Sequence, residues 1–207
     1  MSLAIIDYGA GNLRSVEKAF QKVGVDAEIT KDKNTIRGAK GIVFPGVGSF
    51  DAAISELRTQ ALEGVVEEAI ALGKPFLGIC LGMQHLFETS EEGKARGLAI
   101  LPGAVKKFNF SGTPWSNLSV PHMGWNRVLF KHKAPIFEGI EEGTMFYFAH
   151  SFYVDPKDEM IVATRTDYGI EFVSAVWKDN IYGLQFHPEK SGEAGLKLLR
   201  NFGHLTR

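Results

Sequence analysis

The sequence contains a single cysteine, Cys80, so no disulfide can form within the chain, and its thiol fits a reducing compartment. Neither sign of charge is in excess. The 23 Lys and Arg residues stand against 24 Asp and Glu, a net charge of -1, so nothing here suggests a nucleic-acid binder, for which a basic excess or stripe is expected. No apolar run approaches membrane-spanning length. The opening Met1-Ser2-Leu3-Ala4-Ile5-Ile6 reaches Asp7 too soon for a signal peptide and has no basic lead. There is no repeat, linker or low-complexity tract, no H-x-x-x-H pair and no second cysteine, so the residues make a poor metal set. These absences lead us to expect a soluble, cytoplasmic chain, one domain over residues 1–207, with no metal or cofactor.

Residues of the hydrophobic class make up 44% of the chain, enough for a large core without covalent staples. Their spacing alternates between strand and helix in the first half. Leu3 to Ile6 is a short apolar run, as in a strand buried on both faces. A helix with Leu13, Val16, Ala19, Phe20 and Val23 on one face follows, stopped by Gly24. Asn12 is placed to cap it. Strands are expected at 27–30, 41–44 and 76–80, and a helix around Leu62, Val65, Val66 and Ala69. From about residue 104, β-rich runs follow one another without helices: 104–108, 127–130, 145–154, 160–166, 172–177 and 181–186. A last helix carries Leu196, Leu199 and Phe202. The expected fold is α/β: an open, mostly parallel central sheet with helices on both faces and an antiparallel β extension in the second half.

The stretch Gly78-Ile79-Cys80-Leu81-Gly82 has the form G-x-C-x-G, the thiol version of the nucleophile elbow. An elbow would lift the Cys80 sulfur above the sheet at the start of a helix, with the Leu81 N–H as an oxyanion donor; the plain alternative is a buried structural cysteine. Two other glycine-rich loops leave strands. Gly9-Ala10-Gly11 lacks the third glycine of a dinucleotide fingerprint, since Arg14 stands there. Pro45-Gly46-Val47-Gly48 leaves the strand preceding the elbow strand, at the end of the sheet where ligands gather, and its small residues can turn N–H groups toward an anion.

A free thiol is mostly protonated at neutral pH and needs a base. Of the six histidines, His85 lies beyond the first turn after the elbow and reads as core or surface, while His132 and His204 read as exposed. His187 ends a strand, is held extended by Pro188, and has Glu189 two residues on, returning to its side of the chain. A carboxylate there would fix the imidazole tautomer and support its cation.

Gly78 to Gln84 together with His187-Pro188-Glu189, about a hundred residues later, resembles the class I (triad) glutamine amidotransferases. Asp7 to Asn12, Pro45 to Phe50 and Pro121-His122-Met123-Gly124-Trp125-Asn126 resemble, within that class, the glutaminase subunits of imidazole glycerol phosphate synthases. The resemblance implies Cys80 as nucleophile, His187 as base and Glu189 as its orienter. It implies an oxyanion hole from Gly46, Val47, Gly48 and Leu81, and glutamine held by Gln84 and the His150-Ser151-Phe152 backbone. It also implies a heterodimer with a cyclase subunit, a (β/α)8 barrel, that uses the ammonia in histidine biosynthesis, with Asn12, Trp125, Asn126, Tyr147 and Lys190 facing that partner. The alternatives are a subunit feeding pyridoxal phosphate, anthranilate or guanylate synthesis, a stand-alone elbow-cysteine hydrolase, and a non-catalytic scaffold. Met83 and the stretches 7–12 and 121–126 favour the first reading over its sister amidotransferases.

Overall fold

The computed structural model describes residues 3–9 and 11–206. Met1, Ser2 and Ala10, part of the stretches read above, lie outside the described residues, as does Arg207.

The first half builds the parallel part of an eleven-stranded sheet. Strands β1 (Leu3–Ile6), β2 (Ala27–Thr30), β3 (Gly41–Gly46) and β4 (Phe76–Cys80) lie in the order β2-β1-β3-β4, all parallel. Every residue of β1, β3 and β4 is buried, which is why they read as continuous apolar runs rather than alternating ones. Side chains still alternate in direction. Leu3, Ile5, Val43, Leu77 and Ile79 pack with Val16 and Phe20 of α1 (Leu13–Lys22) and with Leu198 and Phe202 of the last helix, α6 (Gly192–His204). Ala4, Ile6, Ile42, Phe44 and Phe76 pack on the opposite face. Their partners are Ile36 of α2 (Lys33–Gly38), Ile54 and Leu57 of α3 (Phe50–Thr59), and Val65 and Val66 of α4 (Glu63–Ala71). Burial of each large aliphatic or aromatic side chain here contributes ~1.5–3 kcal/mol.

Two of those helices escaped the sequence reading. The six-residue α2 is started by Asp32, whose carboxylate accepts from the Thr35 N–H at 2.8 Å, and it is too short to show a period. The spacing of Phe50, Ala53, Ile54 and Leu57 is helical and was legible. Asn12 stands at the N-cap of α1 but makes no side-chain capping bond. In α6, Leu198 joins Leu199 and Phe202 in the core while Leu196 is only partly buried.

The second half adds the antiparallel part. β13 (Ile181–Leu184) runs parallel beside β4, and β12 (Glu171–Lys178) pairs antiparallel with it through a turn at Asp179-Asn180, where Asp179 takes a φ of 51°. Beyond β12 lie β10 (Phe152–Pro156), β6 (Gly103–Lys107), β5 (Thr89–Ser90), β11 (Val162–Asp167) and β8 (Leu129–Phe130). One run read as a single strand is two. β9 (Met145–His150) leaves the main sheet and pairs with β7 (His122–Arg127) as a separate two-stranded sheet, while β10 rejoins the main sheet after Ser151. This break sets the small sheet beside the carboxyl end of β4. Among the described residues, no helix is long and apolar enough to cross a membrane.

Candidate active site

β4 ends in a sharp elbow. Cys80 has φ 54° and ψ -111°, a conformation that costs a residue with a side chain ~1–3 kcal/mol. The flanking glycines are required by close approach. A Cβ at Gly82 would lie 1.7 Å from the Phe44 carbonyl oxygen, and one at Gly78 would lie 2.9 Å from the Gly82 carbonyl. The helix after the elbow, α5 (Leu81–Gln84), is a single turn, so it offers Cys80 local N–H groups rather than the long helix dipole expected from the motif.

The neighbouring strand brings the second loop to the same rim. Gly46 stands directly across from Cys80 in the β3–β4 register. A Cβ there would meet the Tyr8 hydroxyl at 2.6 Å and the Leu81 Cβ at 2.9 Å. That hydroxyl donates to the Pro45 carbonyl at 2.9 Å and pins the base of the loop. Burial, and then the charge of Cys80, push the Tyr8 phenol well above its ordinary range, so it stays a donor. Beyond the pin, Val47 and Gly48 are exposed, and Gly48 has a φ of 98°.

The chain after β13 supplies the imidazole. Leu184 is registered with Ile79, so residues 185–187 emerge beside Cys80. His187 donates from Nδ1 to Glu189 Oε1 at 2.8 Å, with side chains 4% and 1% exposed. With Nδ1 committed, Nε2 is the nitrogen left to bond the Cys80 sulfur. Burial by itself would lower the His187 pKa. The hydrogen bonds and charges of Cys80 and Glu189 outweigh it and raise the pKa to about 10. Ser191 locks the turn, accepting from the Tyr147 N–H at 3.0 Å and donating to the His187 carbonyl at 2.6 Å.

A cavity of about 330 Å³ opens over the sulfur, the size of a small-molecule site. Val47, Gly48, Leu81, Gln84, His150, Ser151, Phe152, His187 and Lys190 all line it with Cys80, while Gly46 and Glu189 sit behind that wall. The Ser151 carbonyl is taken by the Phe108 N–H at 3.0 Å, and the Phe152 carbonyl accepts from Gln84 Nε2 at 3.1 Å. Pro121, Met123 and Ala149 complete the lining without having been assigned to the site, and two polar residues were missed as well. Gln185 donates to Cys80 Sγ at 3.6 Å and accepts from Gln84 at 3.1 Å; it sits inside an apolar run with no motif to mark it. Glu92 lines the cavity and accepts from the Phe50 N–H at 2.8 Å; the acidic pair Glu91-Glu92 just beyond the elbow helix was its only signal.

Residues expected to face a partner separate into two groups. Trp125 and Tyr147 stand opposite each other on β7 and β9 with rings 6.1 Å apart, and Lys190 Nζ lies 5.9 Å from the Tyr147 ring. Trp125 is 52% exposed, and Asn12 is exposed at the start of α1. Asn126 differs: its amide is turned inward, donating to the Asp167 carbonyl at 2.8 Å, because it falls on the opposite side of β7 from Trp125. Among the other histidines, His132 and His204 are exposed. His85 is buried against Phe50, bonds its carbonyl at 3.2 Å, and is lowered to about 4 by burial.

A thiol on an elbow, an imidazole on a carboxylate and a glycine-bearing loop at one rim is a constellation suited to acyl transfer. Comparison with known proteins agrees. The family model for glutamine amidotransferase class-I matches residues 4–205. The chain is 47% identical to imidazole glycerol phosphate synthase subunit HisH of Moorella thermoacetica, over 99% of this chain and 95% of the relative. It is 50% identical to the HisH subunit of Aromatoleum aromaticum, over 97% of this chain and 96% of the relative. The chain belongs to the class I glutamine amidotransferases, in the HisH branch. The amidotransferase fold extends to PurLQS from Thermotoga maritima, with a TM-score of 0.76 at 20% identity over 97% of this chain and 96% of that one.

Proposed function

We propose that this chain is the glutaminase subunit of an imidazole glycerol phosphate synthase. In the cytoplasm it hydrolyses glutamine and passes ammonia to a (β/α)8-barrel cyclase subunit in a heterodimer, in histidine biosynthesis. The observation that carries this reading is the buried line Cys80–His187–Glu189 facing a cavity of small-molecule size. Cys80 is the nucleophile, His187 the acid and base, and Glu189 its orienter.

The Cys80 thiolate attacks the side-chain amide carbon of glutamine. Its oxyanion is held by the Leu81 N–H and by an N–H of the Gly46–Gly48 loop, each such donor worth ~10²–10³ in rate. The imidazolium proton of His187 Nε2 passes to the leaving nitrogen as the C–N bond breaks, giving NH₃ and a glutamyl thioester. Neutral His187 then takes a proton from water, whose oxygen attacks the thioester. The C–S bond breaks, glutamate leaves and the thiolate–imidazolium pair returns. Gln84 and the 150–152 wall hold the substrate, and Glu92 has the charge to meet its α-ammonium. Lys190, Tyr147, Trp125 and Asn12 form the face toward the cyclase, across which ammonia travels unprotonated. Support for a protein partner comes from Trp125, 52% exposed, with Met123, 64% exposed at the mouth of the cavity, on the same face of β7.

In the two-subunit enzyme, Cys80→Ala should abolish synthesis from glutamine while synthesis from added ammonium salt continues. Loss of both activities, or survival of the first, would refute the assignment of the thiol.

A further inference from the structure

The two-stranded sheet of β7 and β9 carries on its inward face a pair of buried histidines that the thioester chemistry does not use. His122 opens β7 and His150 closes β9, directly across from each other, 3% and 4% exposed. Their rings share one hydrogen bond, His122 Nδ1 to His150 Nε2, at 3.0 Å. His150 Nδ1 contacts the Phe152 carbonyl oxygen at 2.7 Å, and Asn126 Nδ2 contacts His122 Nε2 at 3.3 Å. His122 is stacked between Tyr168 and Phe148, with centroids 4.0 and 4.9 Å away, and Phe108 and Phe172 close on His150 at 5.3 and 5.1 Å.

Only one proton arrangement satisfies these contacts. A carbonyl oxygen can only accept, so His150 Nδ1 carries a proton and donates it to Phe152. In the uncharged ring Nε2 is then an acceptor, so His122 Nδ1 is the donor between the rings. His122 Nε2 in turn accepts from Asn126. The far end is pinned too, because the Asn126 amide nitrogen also donates to the Asp167 carbonyl at 2.8 Å and its oxygen accepts from the Arg127 N–H at 2.8 Å. Burial takes both rings out of water and disfavours charge on either, lowering His122 to about 4 and, against the hydrogen bond to Phe152, His150 to about 3.

The line ends on the wall of the cavity. The Phe152 carbonyl receives His150 from one side and Gln84 from the other, which fills both of its lone pairs and fixes the peptide. Gln84 continues to Gln185, and Gln185 to the Cys80 sulfur. We infer that His122 and His150 are positioning residues for glutamine: their directed line of hydrogen bonds holds the 150–152 wall of the cavity in register with β7, the strand whose outer face carries Met123 and Trp125. The inference rests on the glutaminase reading, which gives that wall its substrate.

The test uses the two-subunit enzyme. His122→Phe keeps a stacked ring but removes both nitrogens, leaving His150 Nε2 buried without a partner. KM for glutamine is expected to rise about tenfold, with kcat changing less than about threefold and ammonium-dependent synthesis unchanged. His122→Asn returns a donor at the Nδ1 position and should bring KM back to within about twofold of wild type. A wild-type KM in His122→Phe, or a loss confined to kcat, would overturn the role in positioning. Nitrogen NMR of the histidine rings, which needs no activity, should find both rings protonated at Nδ1 alone near neutral pH, with His122 Nδ1 coupled through its hydrogen bond to His150 Nε2. A proton on Nε2 of either ring would overturn the line itself. A wild-type enzyme that leaves glutamine untouched would instead sink the glutaminase reading, with the ring spectra still deciding the line.

Discussion

Two clusters of buried histidine sit within one site and are driven in opposite directions. His187 is 4% exposed and held up to about 10, while His122 and His150, equally buried, are held down to about 4 and about 3. Burial is common to both clusters and opposes the cation in each. The difference lies in the company. His187 has a carboxylate on one nitrogen and the Cys80 sulfur on the other, and the hydrogen bonds and charges of both support its cation. His122 and His150 have each other, a carbonyl, an amide and aromatic faces but no anion, so the single carbonyl that favours the His150 cation does not offset the cost of burial. One group is therefore built to exchange a proton and the other to hold its protons still. The role of a buried histidine follows from what meets its two nitrogens, not from its depth.

The largest effect should come from the charged cluster. His187→Ala is expected to lower glutaminase turnover of the two-subunit enzyme by ~10²–10⁴-fold, the usual worth of a positioned acid and base. Glu189→Gln keeps the shape and a hydrogen-bonding oxygen but withdraws the charge, so its loss of kcat should be smaller. The reverse order in steady-state rates would mean that Glu189 does more than orient.

The next effect separates the two faces of β7. Trp125→Ala should weaken binding to the cyclase subunit by about 30-fold, the equivalent of ~2 kcal/mol for an exposed aromatic anchor. At saturating partner it should leave KM for glutamine near wild type, unlike a change at His122. Calorimetric titration of the two subunits gives the first quantity and steady-state kinetics the second. A shifted KM with unchanged affinity would dissolve the distinction between outer and inner face.

The smallest effect is a difference in pH response. For His122 and His150 the folded pKa lies below the unfolded ~6.5, so keeping the rings neutral costs nothing above pH 6.5 and stability is lost as pH falls from there toward 4 and 3. For His187 the folded pKa lies above the unfolded value, so its contribution is complete below about 6.5 and is lost as pH rises through about 10. Tm should therefore decline on both sides of neutrality. Replacing both His122 and His150 with phenylalanine should make the acid side shallower, with buried His85 keeping its share, and His187→Ala should flatten the alkaline side. An acid limb unchanged in the double variant would assign that decline to other groups.

Much of the charged cluster was legible in the sequence, because most of its parts are enforced locally. Gly78 is demanded by backbone contacts within the elbow and Gly82 by the Phe44 carbonyl of the adjoining strand, and Pro188 and Glu189 act on His187 within two residues. The neutral cluster was not. Its pairing depends on the register of β7 against β9, strands whose residues are separated by loops and whose runs were read as 127–130 and 145–154. Period-two alternation along Pro121 to Arg127 would have set Trp125 and His122 on opposite faces, and would have turned Asn126 inward. Gln185 had no signal of any kind, since a polar residue after an apolar strand shows nothing of what lies across the sheet. The fold was readable where strands are buried on both faces, and least so in the second half, where one apolar run serves two sheets.

The central claim is that Cys80 and His187 act together on glutamine through a covalent intermediate. Mixing the two-subunit enzyme with glutamine, quenching in acid during turnover and weighing the peptide that carries Cys80 tests it directly. One glutamyl group is expected on that peptide in the wild type, and none in Cys80→Ala. Steady glutamine hydrolysis with no acyl group on Cys80, or with the thiol removed, would contradict it.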